Sequence, residues 1–287
     1  MLSIAGIGIS FLFDRDLSEL RIGEADSPLN ERMSEDIRLR VHYGQLPEMK
    51  IKEKVFDSGD TWALYRSDEK YVLQNDTLES DSSPDTLVVL ESDFKSGEAF
   101  INSEPLHQGL LFDPLGYPLN QILVILLLSL GKGIMLHACG IDDRGCGYLF
   151  LGHSGHGKST MAKLWLKNNA TILNDDRIIV REKAGKFWMH GTPWHGDFRE
   201  WSLRSQLIRK MFFLHHGEKN SAFPKQGAEA TSMLLTRCFP PIWDKKAMAY
   251  TTGLCHRMVN EIPCYELTFE PDKRIVDFVR GIPLSVV

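Results

Sequence analysis

The stretch Leu149 to Thr160, LFLGHSGHGKST, constrains this chain more than any other. Within it, Gly152, His153, Ser154, Gly155, His156, Gly157, Lys158 and Ser159 fit the P-loop pattern G-x-x-x-x-G-K-[ST]. Its flanks fit as well. Tyr148 to Leu151 is an apolar run of strand type, and Met161, Leu164 and Trp165 follow at helical spacing. A strand, a glycine-rich turn and a helix start bring unpaired backbone N–H groups and the positive end of a helix dipole onto one anion. Gly155 and Gly157 give the turn its backbone freedom. The pattern places Lys158 at the β and γ phosphates and the Ser159 hydroxyl at magnesium. Gly152 to Thr160 is therefore the expected contact set for Mg·ATP. A P-loop does not say how the phosphate is used.

The acids after the loop speak to use. A buried strand, Ala170 to Leu173, ends in Asn174-Asp175-Asp176-Arg177. Carboxylates at the end of a buried strand need a cation beside them, and a magnesium–nucleotide complex supplies one. One aspartate can hold the metal, and the other can accept the proton of an attacking hydroxyl. The bland alternative is a surface turn with Arg177 as ion-pair partner.

Charge is divided unevenly. Residues 1–130 hold 11 Lys/Arg against 23 Asp/Glu, while residues 131–287 hold 22 against 15. The second part suits an anionic ligand, and the acidic first part argues against nucleic acid there. Five cysteines, with no C-x-x-C, read as free thiols in a reducing cytoplasm rather than disulfides or a zinc site. The apolar start alternates Ile7, Ile9, Phe11, Phe13, a strand rather than a signal peptide. Ile122 to Leu130 is too short to span a bilayer, so no membrane role is expected. Oligomeric state is left open, a homo-oligomer included.

The chain reads as an α/β protein in two parts: a β-rich N-terminal domain over 1–117, for substrate recognition or assembly, and a P-loop domain over 118–287. In the first, Ile37, Leu39, Val41 and Tyr43 alternate as a half-buried strand. Thr61–Tyr65 and Tyr71–Leu73 form a hairpin, and Leu87–Leu90 pairs with Ala99–Ile101. Asp76 to Asp85 is a polar connection. In the second, Asn120 starts a short buried helix, and Met135 to Ile141 is a strand turning through Asp142 to Gly145. Ile178–Arg181 continues the acid-bearing strand, and Phe187–His190 is its hairpin partner. Leu207–Leu214 and Tyr265–Phe269 are strands, while Glu229–Cys238, Asp244–Met258 and Asp272–Val279 are helices.

Taken in order and spacing, His137, the P-loop and Asn174-Asp175-Asp176-Arg177 resemble the nucleotide domain of HPr kinase/phosphorylase, whose fold is shared with ATP-dependent phosphoenolpyruvate carboxykinase. The resemblance spans Met135 to Arg181. It implies Asp175 as general base, Asp176 as metal ligand, Lys158 and Ser159 as phosphate and magnesium contacts, and His137 near the transferred phosphate. The family's acidic-x-Arg-Gly segment is missing, and Gly191-Thr192-Pro193-Trp194-His195-Gly196-Asp197 occupies that region. Neither HPr as acceptor nor phosphorylase activity follows.

The reading is an ATP- and magnesium-dependent kinase. Its acceptor is a hydroxyl, on a serine of a peptide or small protein or on a small-molecule alcohol. The rival is a P-loop ATPase or regulatory nucleotide-binding module. Trp194, His195 and Asp197 are candidates for shaping the acceptor site, Asp197 also for a second metal ligand. Arg199, Arg204, Arg209 and Lys210 are candidates for a transition-state cation, with a solvated face as the default. Trp188, Trp201 and Trp243 read as core or interface.

Overall fold

The computed structural model of the 287-residue chain describes residues 2–13, 35–49, 53–59, 61–75, 85–102, 114–196 and 198–283. They divide into two compact units, 1–127 and 128–287.

The first unit is an eight-stranded sheet. Its strands are β1 (Leu2–Ile4), β2 (Ile7–Phe13), β3 (Glu35–Tyr43), β4 (Glu53–Asp57), β5 (Trp62–Ser67), β6 (Lys70–Asn75), β7 (Thr86–Leu90) and β8 (Ser96–Ile101). Their order is β1-β2-β3-β8-β7-β6-β5-β4. The hairpins β5–β6 and β7–β8 form where alternation and polar turns predict them. The start of the chain pairs as a strand, in parallel with β3. Ile37, Leu39 and Val41 of β3 are buried while Arg38 and Arg40 are exposed, as a period of two requires. β1 and β4 are strands that the sequence reading did not propose. The expected connection from Asp76 lies outside the described residues up to Pro84. Helix α1 (Leu119–Ser129) is apolar on every side and buried through Leu128.

The second unit starts with β9 (Ile134–Asp143), β10 (Cys146–Leu151) and α2 (Lys158–Leu166). It continues through β11 (Thr171–Asn174), β12 (Arg177–Lys183), β13 (Lys186–His190), β14 (Ser205–His216) and β15 (Ser221–Lys225). It closes with α3 (Gly227–Leu235), α4 (Lys245–Glu261), β16 (Cys264–Phe269) and α5 (Arg274–Gly281). The strand order is β10-β9-β12-β13-β14-β16-β15, with β11 on β9 and β10 also paired in parallel with β14. Successive residues of β10 point to opposite faces, and both faces are buried. Leu149 and Leu151 enter a core with Leu254, Cys255 and Met258 of α4 and Ala230 and Leu234 of α3. Tyr148 and Phe150 enter a second core with Met161 and Trp165 of α2 and Ile275, Val276 and Val279 of α5. A strand covered on both sides reads as a continuous apolar run, which YLFL is. The result is a mixed α/β unit consistent with a nucleotide-binding fold.

Two local departures from the sequence reading shape the site. The strand expected to run through the aspartates is broken. β11 pairs with β9 at Ile141 and Gly140, β12 pairs from His137 onward, and Asp175 and Asp176 lie in the break. The helix expected to reach Cys238 stops at Leu235. Beyond it, Cys238 bridges to Leu136, and residues 237–239 run against β9. Both departures are tertiary pairings with β9 overriding local preference. Among the described residues no helix is long and apolar enough to cross a membrane.

Candidate functional site

The P-loop leads from β10 into α2, and Gly157 caps the helix with φ 91° and no side-chain hydrogen bond to the first turn. The first N–H groups of α2 therefore lack side-chain acceptors, the arrangement that receives an anion. A Cβ on Gly157 would lie 2.6 Å from Cζ of Phe269, so backbone angle and space both require glycine. Two imidazoles pin the loop to the end of β14: His156 Nδ1 hydrogen-bonds the Leu214 carbonyl at 3.0 Å, and His216 Nε2 bonds the Gly155 carbonyl.

Lys158 is 6% exposed. Its ammonium donates to the carbonyls of Gly152 at 2.9 Å and His153 at 3.1 Å, both in the loop it serves. Burial pushes its pKa down, offset in part by the charges of Asp176 and Asp175. A desolvated ammonium held only by backbone carbonyls is ready to exchange them for phosphate oxygens.

Asn174 shapes the break that presents the acids. Its Oδ1 accepts from the backbone N–H groups of Asp176 at 2.7 Å and Arg177 at 2.9 Å, while its Nδ2 donates to the Thr192 carbonyl at 2.8 Å. The two carboxylates then face different partners. Asp175, 1% exposed, accepts the Ser159 hydroxyl on Oδ2 at 2.6 Å and the Gly196 N–H on Oδ1 at 3.1 Å. Asp176 pairs through Oδ1 with His137 Nε2 at 2.8 Å and through Oδ2 with Arg177. Desolvation opposes the Asp176 carboxylate. The His137 hydrogen bond and the charges of Arg177, His137 and Lys158 nonetheless hold its pKa below the usual carboxylate range. His137, Lys158, Ser159, Asp175 and Asp176 thus converge, as their order along the chain suggests.

A further residue joins them that the sequence reading did not single out. The N–H of His137 donates to the Arg237 carbonyl at 2.8 Å, and that of Phe239 donates to the Met135 carbonyl. This short pairing sets Arg237 next to His137, and burial and then the Arg237 charge depress the pKa of His153 in the P-loop. Arg237 is 7% exposed and stacks over Phe213. Its guanidinium donates to the Met233 carbonyl at 2.7 Å and the Thr236 hydroxyl at 2.9 Å, while Nε is buried without a partner. Among the described residues no carboxylate pairs with it. A buried arginine without a counter-ion is a site for an anion. Phe239 carries Arg177 over its ring at 4.2 Å and lies beside His137. The only hint in the sequence was an arginine at the end of a helical pattern, where it reads as a dipole cap.

The other candidates fare differently. Gly196 reaches Asp175, His195 stacks near Trp201 at 6.5 Å, and Trp194 is half-buried. Asp197 lies outside the described residues. Lys210 is corrected: its ammonium leaves the middle of β14 and is buried against α5, donating to the carbonyls of Val279 and Ile282 at the end of that helix. A side chain that terminates a helix there cannot serve the P-loop. Arg199, Arg204 and Arg209 are exposed. All five cysteines are free thiols.

No protein-family model matches the chain, and no curated protein does. Among solved structures it is similar to the HPr(Ser) kinase/phosphatase from Coxiella burnetii. The identity is 11% and the TM-score 0.31, over 50% of this chain and 90% of that one. Likeness at that level defines neither family nor activity, so the functional reading comes from the site itself.

Proposed function

We propose that the second unit is a kinase that binds Mg·ATP and passes the γ-phosphoryl group to a hydroxyl acceptor. The observation that carries this is the Ser159–Asp175 hydrogen bond, which joins a P-loop helix to an acidic strand break. The residues fit the ligand. Lys158, Arg237 and the uncapped start of α2 are anion donors, and among the described residues no carboxylate is paired with either side chain. Ser159 and one carboxylate are hard oxygen donors, and magnesium takes few protein ligands, completing its shell with phosphate and water. When bound, magnesium would supply positive charge that offsets the charge of the phosphates.

The hydrogen bonds support a division of labour between the acids. Asp175 accepts the Ser159 hydroxyl, and these two side chains would hold the metal. Asp176, fixed by His137 and Arg177, is left for the acceptor side, as proton acceptor for the attacking hydroxyl. This reverses the order implied by the resemblance. Lys158 and Arg237 would stabilise charge on the transferred group.

The test is transfer of label from [γ-32P]ATP to serine peptides and small alcohols, run beside phosphate release. Label on an acceptor supports the kinase. Release to water alone, undiminished by any acceptor, supports the ATPase rival.

A further inference from the structure

The thiols of Cys238 and Cys255 lie 3.5 Å apart, sulfur to sulfur. Cys255 is fully buried in the middle of the 17-residue α4. Cys238 is partly exposed, in the irregular segment between α3 and α4, where it bridges to Leu136. Its neighbours in sequence are Arg237 and Phe239, and the same segment makes the two hydrogen bonds to His137 and Met135.

We propose that this pair is a redox switch on the site: an oxidant of the peroxide class joins Cys238 to Cys255, and the bond draws Arg237 away from the P-loop. A disulfide needs about 2.05 Å between sulfurs, so one cysteine has to move by more than an ångström. Cys255 is held by a packed helix, whereas Cys238 is held by a bridge and a few hydrogen bonds, so Cys238 moves. Arg237 and Phe239 move with it, and the pairing with β9 is strained or broken.

The chemistry balances with one peroxide. Cys238 loses its proton and its sulfur attacks a peroxide oxygen. The O–O bond breaks, one water leaves, and the sulfur is oxidised to a sulfenic acid. Cys255 then loses its proton and attacks that sulfur. The S–S bond forms, the S–O bond breaks, and a second water leaves. Two thiols are oxidised and one peroxide is reduced to two waters. The hydrogen bond to Cys255 and then burial push the Cys238 thiol pKa up, so its attack is slow and answers sustained oxidant rather than a brief pulse.

The experiment treats the reduced full chain with hydrogen peroxide, blocks remaining thiols, and digests with trypsin. The expected product joins residues 238–245 to residues 247–257 and is absent from Cys255→Ser and Cys238→Ser. Hydrogen exchange at the amides of His137 and Phe239 should speed up at least about tenfold on oxidation of the wild type only, the sign of lost local protection. Failure to form the linked peptide overturns the proposal, as does a linked peptide with unchanged exchange at both amides. The functional consequence rests on the nucleotide reading: affinity for a fluorescent ATP analogue with magnesium should fall about tenfold, or 1.4 kcal/mol. Linkage and faster exchange in a chain that binds no nucleotide even when reduced would uphold the switch and defeat that reading.

Discussion

The Ser159 hydroxyl donates to Asp175 Oδ2 at 2.6 Å, tying the first turn of α2 to the break between β11 and β12. Asp175→Asn should therefore raise the magnesium concentration for half-maximal rate about tenfold, with turnover partly restored by excess metal. Asp176→Asn should keep the magnesium requirement and lower turnover by about two to four orders of magnitude, the usual loss for a general base. Magnesium titration of initial rates for both variants decides. Rescue of Asp176→Asn rather than Asp175→Asn would return the roles to the order the resemblance implies.

Lys158→Ala removes the ammonium held over the loop by the Gly152 and His153 carbonyls. Affinity for Mg·ATP should fall at least about tenfold. The melting temperature should stay level or rise, because a desolvated charge is lost with the side chain. Calorimetric titration and a thermal melt of one sample report both. Unchanged affinity would refute the phosphate reading of the loop.

Arg237→Met keeps bulk over Phe213 and removes the charge. Phosphoryl transfer should slow by about three orders of magnitude or more, the range for losing an arginine that stabilises the transferred group. Stability should hold, since no carboxylate is left unpaired among the described residues. Single-turnover rates with a denaturant curve would separate the two effects, and a fast, stable variant would leave Arg237 without a catalytic part.

The depressed pKa of Asp176 sets a direction in acid. A carboxyl that binds its proton less readily in the folded chain favours folding at pH above its ordinary value, about 3.9. That contribution disappears as pH falls through the lower, folded value. The stability gap between wild type and Asp176→Asn, about 1–3 kcal/mol near neutral pH, should therefore shrink in urea melts taken toward pH 3. A gap that widens in acid would contradict the assignment of the His137 and Arg177 pairing to the charged form.

Arg280 clamps α5 to the end of β9. Its guanidinium meets Asp143 through two bonds of 2.8 and 2.9 Å and lies over Trp165. Asp143 is 5% exposed, so Arg280→Ala strands a buried carboxylate. The loss should be about 2–4 kcal/mol, and Asp143→Asn in the same background should recover part of it. Denaturant curves of the single and double variants measure the coupling.

The P-loop, its strand and its helix were legible in the sequence because their chemistry is contiguous. Gly152 to Ser159 need only local geometry to become an anion site, and YLFL before them is apolar in every residue because both faces of β10 are covered. His137 and the Asp175-Asp176 pair were legible by their order along the chain, and Arg177 as an ion-pair partner beside them, but the contact of Asp176 with His137 was not. Only the pairing of β9 with β12, Arg177 opposite His137, sets the Asp176 carboxylate against the imidazole. Only the strand break turns Asp175 toward Ser159. Lys210 and Arg237 show the limit most clearly. Both are basic residues in apolar surroundings, and nothing in their neighbours' spacing tells them apart. Packing sends Lys210 to the end of α5, while the bridge from Cys238 to Leu136 brings Arg237 alongside β9, next to His137. Local sequence set what each element could be; long-range pairing with β9 decided which side chains share one site, because that contact joins residues a hundred positions apart whose proximity no local pattern encodes.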